Sequence, residues 1–325
     1  MKEWKKQWKV LPLVMLLVIM SVNLIGCQSK EALKNEKAYR KAGIDKMEQN
    51  DYPKAVGLFQ KALDQSVGVV GELEVDICYY KAAAQYKSGD TQGAIKTYTS
   101  LIEYDEKNGN ALYLRGCIYL KENNVDQAWK DFKQAIKVKK DDYELYSAIY
   151  DNMNNIGDTA KAASVLESAL KLEGSSAEYY RERGHFYLLS GDYENARKEL
   201  DKAINKKDTK ALLYMAEVYD AKGSPEQANA LYESYIARDG ADTEVLNMLG
   251  QKQLDTGNYT QALKFFQTAL AAKNVNNEQQ LRKNEIVAYE YLLDFPSAKA
   301  KMEAYLMDYP QDEEAQREAV FLRTR

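Results

Sequence analysis

The sequence predicts an all-α chain of stacked helical hairpins. Two observations carry this: a period close to 34 residues, and a turn plus a size pattern that recur at fixed places within it. One alanine recurs as Ala55, Ala94, Ala128, Ala162, Ala196, Ala228, Ala262 and Ala298, at intervals of 39, 34, 34, 34, 32, 34 and 36 residues. Just before each stands a turn: Asn50-Asp51, Gly89-Asp90, Asn123-Asn124, Gly157-Asp158, Gly191-Asp192, Gly223-Ser224, Gly257-Asn258 and the less typical Leu293-Asp294. Gly or Asn takes the left-handed conformation that ends one helix. Asp, Ser or Asn beside it caps the next. Pro53, Pro225 and Pro296 fall in the first turn of that second helix, where a missing N–H costs nothing.

Side-chain size has the same period. Four residues after the alanine comes a large apolar group: Phe59, Tyr98, Phe132, Leu166, Leu200, Tyr232, Phe266 or Met302. Twelve residues before it stands a small one: Gly43, Ala82, Gly116, Gly184, Ala216 or Gly250. The large group therefore enters the groove of its own first helix, where the small residue lets two backbones approach. Tyr150 and Ile286 break the pattern, which predicts looser packing in repeats 4 and 8. Five residues too many separate repeats 1 and 2, near Ser66–Gly71. This apolar, glycine-punctuated insertion is either a groove lip or a connector packed on its neighbours.

This pattern resembles the tetratricopeptide repeat family. Its fullest match is Gly184-His185-Phe186-Tyr187, then Gly191-Asp192-Tyr193-Glu194-Asn195-Ala196, then Leu200 and Ala203. The resemblance implies an α-solenoid of about eight helix-turn-helix units in a right-handed superhelix, over residues 36–310. Residues 311–325 read as an amphipathic helix whose polar face caps the stack.

The N-terminus reads as an address. Lys2, Lys5, Lys6 and Lys9 precede an apolar run from Val10 to Ile25, which ends at Leu24-Ile25-Gly26-Cys27. Those four residues resemble the lipobox of bacterial lipoproteins. The resemblance implies cleavage after residue 26, a lipid on Cys27, and a protein exported and held on a bacterial membrane. That membrane is either the cytoplasmic membrane, on its outer face, or the outer membrane. Residues 27–35 then serve as the lipidated cysteine and a polar tether. The bland alternative is an uncleaved anchor with an incidental cysteine.

Without residues 1–26 the chain carries 41 basic and 48 acidic residues, net −7. That speaks against nucleic acid and against a polybasic membrane patch. Cys78 and Cys117 fall within helical patterns and read as small packed thiols.

Catalysis finds little to work with. His185 is the only histidine, no Gly-Lys dipeptide exists for a phosphate loop, and neither G-x-G-x-x-G nor G-x-S-x-G occurs. No enzyme activity, cofactor or metal is expected. The family resemblance implies instead that first helices line a concave groove for a protein or peptide segment of unknown identity. The columns fifteen and eleven residues before each anchor should face it. They supply Arg40, Tyr79, Tyr113, Arg181 and Asn247, and His185, Glu217 and Gln251; Tyr86 shares a face with Tyr79. Aromatic rings with arginines are the residue types of binding hot spots. The competing assignment puts the tyrosines in packing between repeats. The expected function is a lipid-anchored scaffold or adaptor of the cell envelope that aids assembly of a complex. The alternatives are an accessory subunit of an envelope enzyme or a substrate-binding lipoprotein.

Overall fold

A computed structural model describes residues 29–66, 68, 70–238 and 242–325. The signal segment and Cys27 lie outside the described residues, as do Val67, Val69 and 239–241. Within them, all regular structure is helical, in seventeen helices. Eight hairpins follow one another: α1 (Lys30–Glu48) with α2 (Tyr52–Leu63), α3 (Glu72–Lys87) with α4 (Thr91–Tyr104), α5 (Gly109–Lys121) with α6 (Val125–Val138), and α7 (Tyr143–Asn155) with α8 (Thr159–Leu170). Then come α9 (Ala177–Leu189) with α10 (Tyr193–Asn205), α11 (Ala211–Ala221) with α12 (Pro225–Arg238), α13 (Thr243–Asp255) with α14 (Tyr259–Leu270), and α15 (Glu278–Tyr291) with α16 (Phe295–Asp308). The last helix is α17 (Glu313–Leu322). The chain divides into two compact halves between Val165 and Leu166, inside α8.

The turns form as their residues dictate. Asn50, Gly89, Asn123, Gly157, Gly191, Gly223, Gly257 and Leu293 all have positive φ, between 58° and 88°. The next amide reaches back to a carbonyl five residues earlier, as from Asp90 to Gln85 at 2.8 Å, which satisfies an orphan acceptor at the helix end. The side chains of Asp90, Asn124, Asp158, Asp192 and Asp294 then cap the following helix, while those of Asp51 and Asn258 make no cap bond. Leu293 is the exception in the column: a branched side chain in the left-handed region, 72% exposed.

Packing follows the size pattern. Every anchor alanine is buried, and so is every large residue four positions later. Gly43, Gly116, Gly184 and Gly250 are buried against Phe59, Phe132, Leu200 and Phe266. In repeats 2 and 6 the small residue is Ala82 or Ala216, and its large partner is Tyr98 or Tyr232. Repeat 8, with Ile286 in place of a small residue, packs its two helices less extensively than the glycine-bearing repeats. The cores join neighbours in sequence: two are formed by a hairpin and the helix that follows it, and one runs from α11 through α15, as expected of a stacked array.

Two expectations need correction. Residues 28–35 were expected to form a polar tether, but α1 already begins at Lys30. The Ser29 hydroxyl accepts from the Ala32 amide at 3.0 Å, and Glu31 sits in the first turn where the helix dipole favours an anion. The first helix thus outruns its partner α2 by seven residues. The thiols of Cys78 and Cys117 are unbridged and half-buried rather than sealed, and burial raises the pKa of both.

The described part of the insertion packs on its neighbours. Ser66 is buried and its hydroxyl donates to the Leu63 carbonyl at 3.0 Å. The Gly71 amide donates to Glu74 at 2.7 Å, and Tyr104 donates to the Val70 carbonyl at 3.2 Å.

α17 turns Ala315, Ala319 and Leu322 inward against Ile286, Met302 and Tyr305, with Glu318 half-buried beside that contact and Glu313, Glu314 and Arg317 exposed. No helix among the described residues is long and apolar enough to cross a membrane.

Candidate functional site

In the N-terminal half an open, mostly apolar cleft of about 510 Å³ lies between the first helices α3, α5 and α7. Ala83 and Tyr86 form one wall; Leu114, Cys117 and Leu120 form the middle. Asn152, Asn155 and Ile156 close the far side, and Ile156 is 45% exposed. Tyr98 and Ile118, both nearly buried, make the floor. The rim carries Lys87 and Lys121, both exposed and neither ion-paired among the described residues.

The periodicity explains the arrangement. Tyr86 and Leu120 are equivalent positions on adjacent repeats, eight residues before their anchors, and Lys87 and Lys121 follow each by one. Ala83 and Cys117 lie three residues earlier, on the same helical face. The Asn152 amide nitrogen is held by the Ala148 carbonyl at 2.8 Å and stands 3.3 Å from the Tyr113 hydroxyl and 3.9 Å from the Cys117 sulfur. Such a cleft can bury one or two apolar side chains, with amides at its edge to meet a peptide backbone.

The predicted residues fare differently. Tyr86 lines the cleft. Tyr79 and Tyr113 are half-buried and tied to packing: Tyr79 lies against Tyr98 and donates to Asn108, the cap of α5, while Tyr113 lies 5.7 Å from Phe132. Burial raises both phenols, Tyr113 to about 12. Arg40 is spent on Asp76, with its guanidinium 5.2 Å above the Tyr80 ring.

In the C-terminal half Arg181 belongs to a network of buried charges, His185 lies beside it, and Glu217 pairs with Lys252 of the next first helix. Arg181 donates to Glu182 and Asp208, each at 2.8 Å. His185 lies flat on Tyr214, ring centroids 4.1 Å apart, with Nδ1 buried and unbonded. Burial, then the charge of Arg181, holds the imidazole down to about 4, so it is neutral at ordinary pH. Burial raises the Glu217 carboxyl, and Lys252, 3.5 Å away, partly offsets this. Asn247 accepts from Asn284 at 2.7 Å, while Gln251 is exposed. Most of these groups hold first helices together; Gln251 is the one left facing solvent.

Two tetratricopeptide repeat models match the chain, one over residues 40–111, 79–144 and 155–211 and the other over 187–249 and 221–283. Among curated relatives, tetratricopeptide repeat protein 13 of Homo sapiens is 24% identical over 171 residues, 50% of this chain and 20% of its own length. Hsp70-Hsp90 organizing protein 1 of Glycine max is 24% identical over 237 residues, 61% of this chain and 41% of its own. The chain thus spans less than half the length of the curated relatives it matches. Among solved structures, a tetratricopeptide repeat protein from Parabacteroides merdae is 15% identical with a TM-score of 0.47, covering 78% of this chain and 99% of that one. The repeat models cover well over half of the sequence, and the chain belongs to the tetratricopeptide repeat family.

Proposed function

We propose that this protein is a lipid-anchored scaffold of the bacterial cell envelope that holds an extended or helical segment of another protein in the α3–α5–α7 cleft and so aids assembly of an envelope complex. Membership of the repeat family supports the coarser part, an interaction scaffold. The single observation that carries the site is the open apolar cleft rimmed by two exposed lysines that form no ion pair among the described residues. A free C-terminal carboxylate finds no seat at Arg40, which Asp76 already neutralises. The anchor rests on Leu24-Ile25-Gly26-Cys27. Two acyl chains, each worth about 0.8 kcal/mol per buried methylene, hold a protein stably on a bilayer.

The anchor is tested by Cys27→Ser in cells. The expected result is a protein that leaves the detergent phase on partitioning, or accumulates with residues 1–26 still attached. A variant that is processed and membrane-bound like the parent would overturn the lipoprotein assignment.

A further inference from the structure

We propose that α17 is a pH-gated cap, docked on repeat 8 while Glu290 and Glu318 share a proton across the helix interface and loosened as that proton is lost. This inference stands apart from the anchor and the cleft.

A cavity of about 120 Å³ lies between α15, α16 and α17. Three carboxylates line it, Glu290 from α15 and Glu314 and Glu318 from α17, against one cation, Lys283. Lys283 is already committed: its Nζ bonds Glu314 at 2.5 Å and stands 3.5 Å from Asp312. α16 contributes Met302 and no charge to the cavity. On α15 and α16, Arg282 is committed to Asp308 at 2.7 Å and Lys301 to Glu285 at 2.8 Å; Arg317 on α17 is exposed and does not line the cavity. Asp312 accepts from Tyr305 at 2.6 Å. Among the described residues no cation but Lys283 lines the cavity, and Glu290 Oε1 is buried without a donor.

Two facing carboxyls with no cation are stable together only when one keeps its proton. Burial, then the charge of Glu318, raises the Glu290 carboxyl to about 7. When α17 lifts away the group returns to the ordinary carboxylate range, so the docked state binds the proton more tightly than the undocked one. The contribution to docking is therefore full at acid pH, declines above the ordinary range, and is gone above about pH 7. The helix can respond because its apolar grip is small: Ala315, Ala319 and Leu322 are its buried residues. Release would uncover Ile286, Met302 and Tyr305 at the end of the stack.

Hydrogen exchange on the full chain tests this, with each amide rate expressed against the unfolded rate at the same pH. Between pH 5.5 and pH 8, protection over Glu313–Leu322 should fall roughly 10-fold or more, while that of α9 and α10 stays constant. Glu318→Gln removes the second charge and supplies an amide donor to Glu290, so the fall in protection should shrink to what burial of Glu290 alone sustains. Glu290→Gln removes the buried group itself and should make protection independent of pH in this range. Parent protection that agrees within about twofold at the two pH values would overturn the proposal. A slope that survives in both amide variants would overturn it as well.

Discussion

Replacing Asp131 with alanine is expected to destabilise the N-terminal half by about 3–5 kcal/mol, the cost of leaving a buried charge without its partner. Arg115 on α5 donates from Nε and Nη2 to the two carboxylate oxygens of Asp131 on α6, both at 2.8 Å, and from Nη1 to Thr99 on α4 at 2.9 Å. The side chains are only 16% and 5% exposed. The pair ties the two helices of repeat 3 to the second helix of repeat 2. Alanine strands the guanidinium with only the Thr99 hydroxyl bonded to it and the charge of Glu103 acting on it without a bond. The double variant Arg115→Met with Asp131→Leu should recover most of the loss, since neither charge then remains to be desolvated. Urea titration followed by circular dichroism measures both. Equal losses in the single and double variants would show that shape rather than charge pairing holds this contact.

Gly116→Val should cost about 3 kcal/mol or more, near the upper end for forcing atoms into a packed core. A Cβ at position 116 would lie 2.6 Å from Phe132 Cε1 and 3.3 Å from the Ala128 carbonyl oxygen. Phe132 is fully buried and has nowhere to go. The helices of repeat 3 would have to separate, which weakens the contacts of α5 with α4 as well. A melting temperature within a degree or two of the parent would mean that the hairpin tolerates separation and that the close approach is not what holds it.

These two sites also show how much of the protein was legible in its sequence. The Gly116–Phe132 contact follows from spacing within one hairpin, as do the turns and the buried alanine column. All depend on helical geometry over fewer than twenty residues, which a sequence displays directly. The start of α1 was readable too, since Ser29 and Glu31 are helix-start residues, but the polar run beside them resembled a tether. The site was harder. The columns fifteen and eleven residues before the anchor lie on the correct helices, yet Tyr79 and Tyr113 are drawn into packing by Asn108 and Asn152 of following repeats. Which partners a first helix meets depends on how successive hairpins are rotated, and no single period encodes that. Leu120, Asn155 and Ile156, which line the cleft, lie outside the two columns that the period selects. Continuing the helical face one turn, to eight residues before the anchor, would have paired Leu120 with Tyr86. Periodicity likewise places Arg181 in the groove column, because its partner Asp208 lies in a connector whose path periodicity leaves open.

The central claim is that the α3–α5–α7 cleft holds a partner protein. Site-specific photocrosslinking in intact cells tests it most directly, with a photoreactive residue placed at Tyr86 in the cleft, at Leu120 beside it, or at exposed Lys130 on the second helix α6. The account predicts one and the same adduct from Tyr86 and Leu120 and none from Lys130. It further predicts that Ile156→Glu at the mouth of the cleft lowers the adduct yield roughly 10-fold or more, as loss of a hot-spot contact would, with the melting temperature unchanged. Equal crosslinking from Lys130, or an adduct that survives Ile156→Glu undiminished, would contradict it.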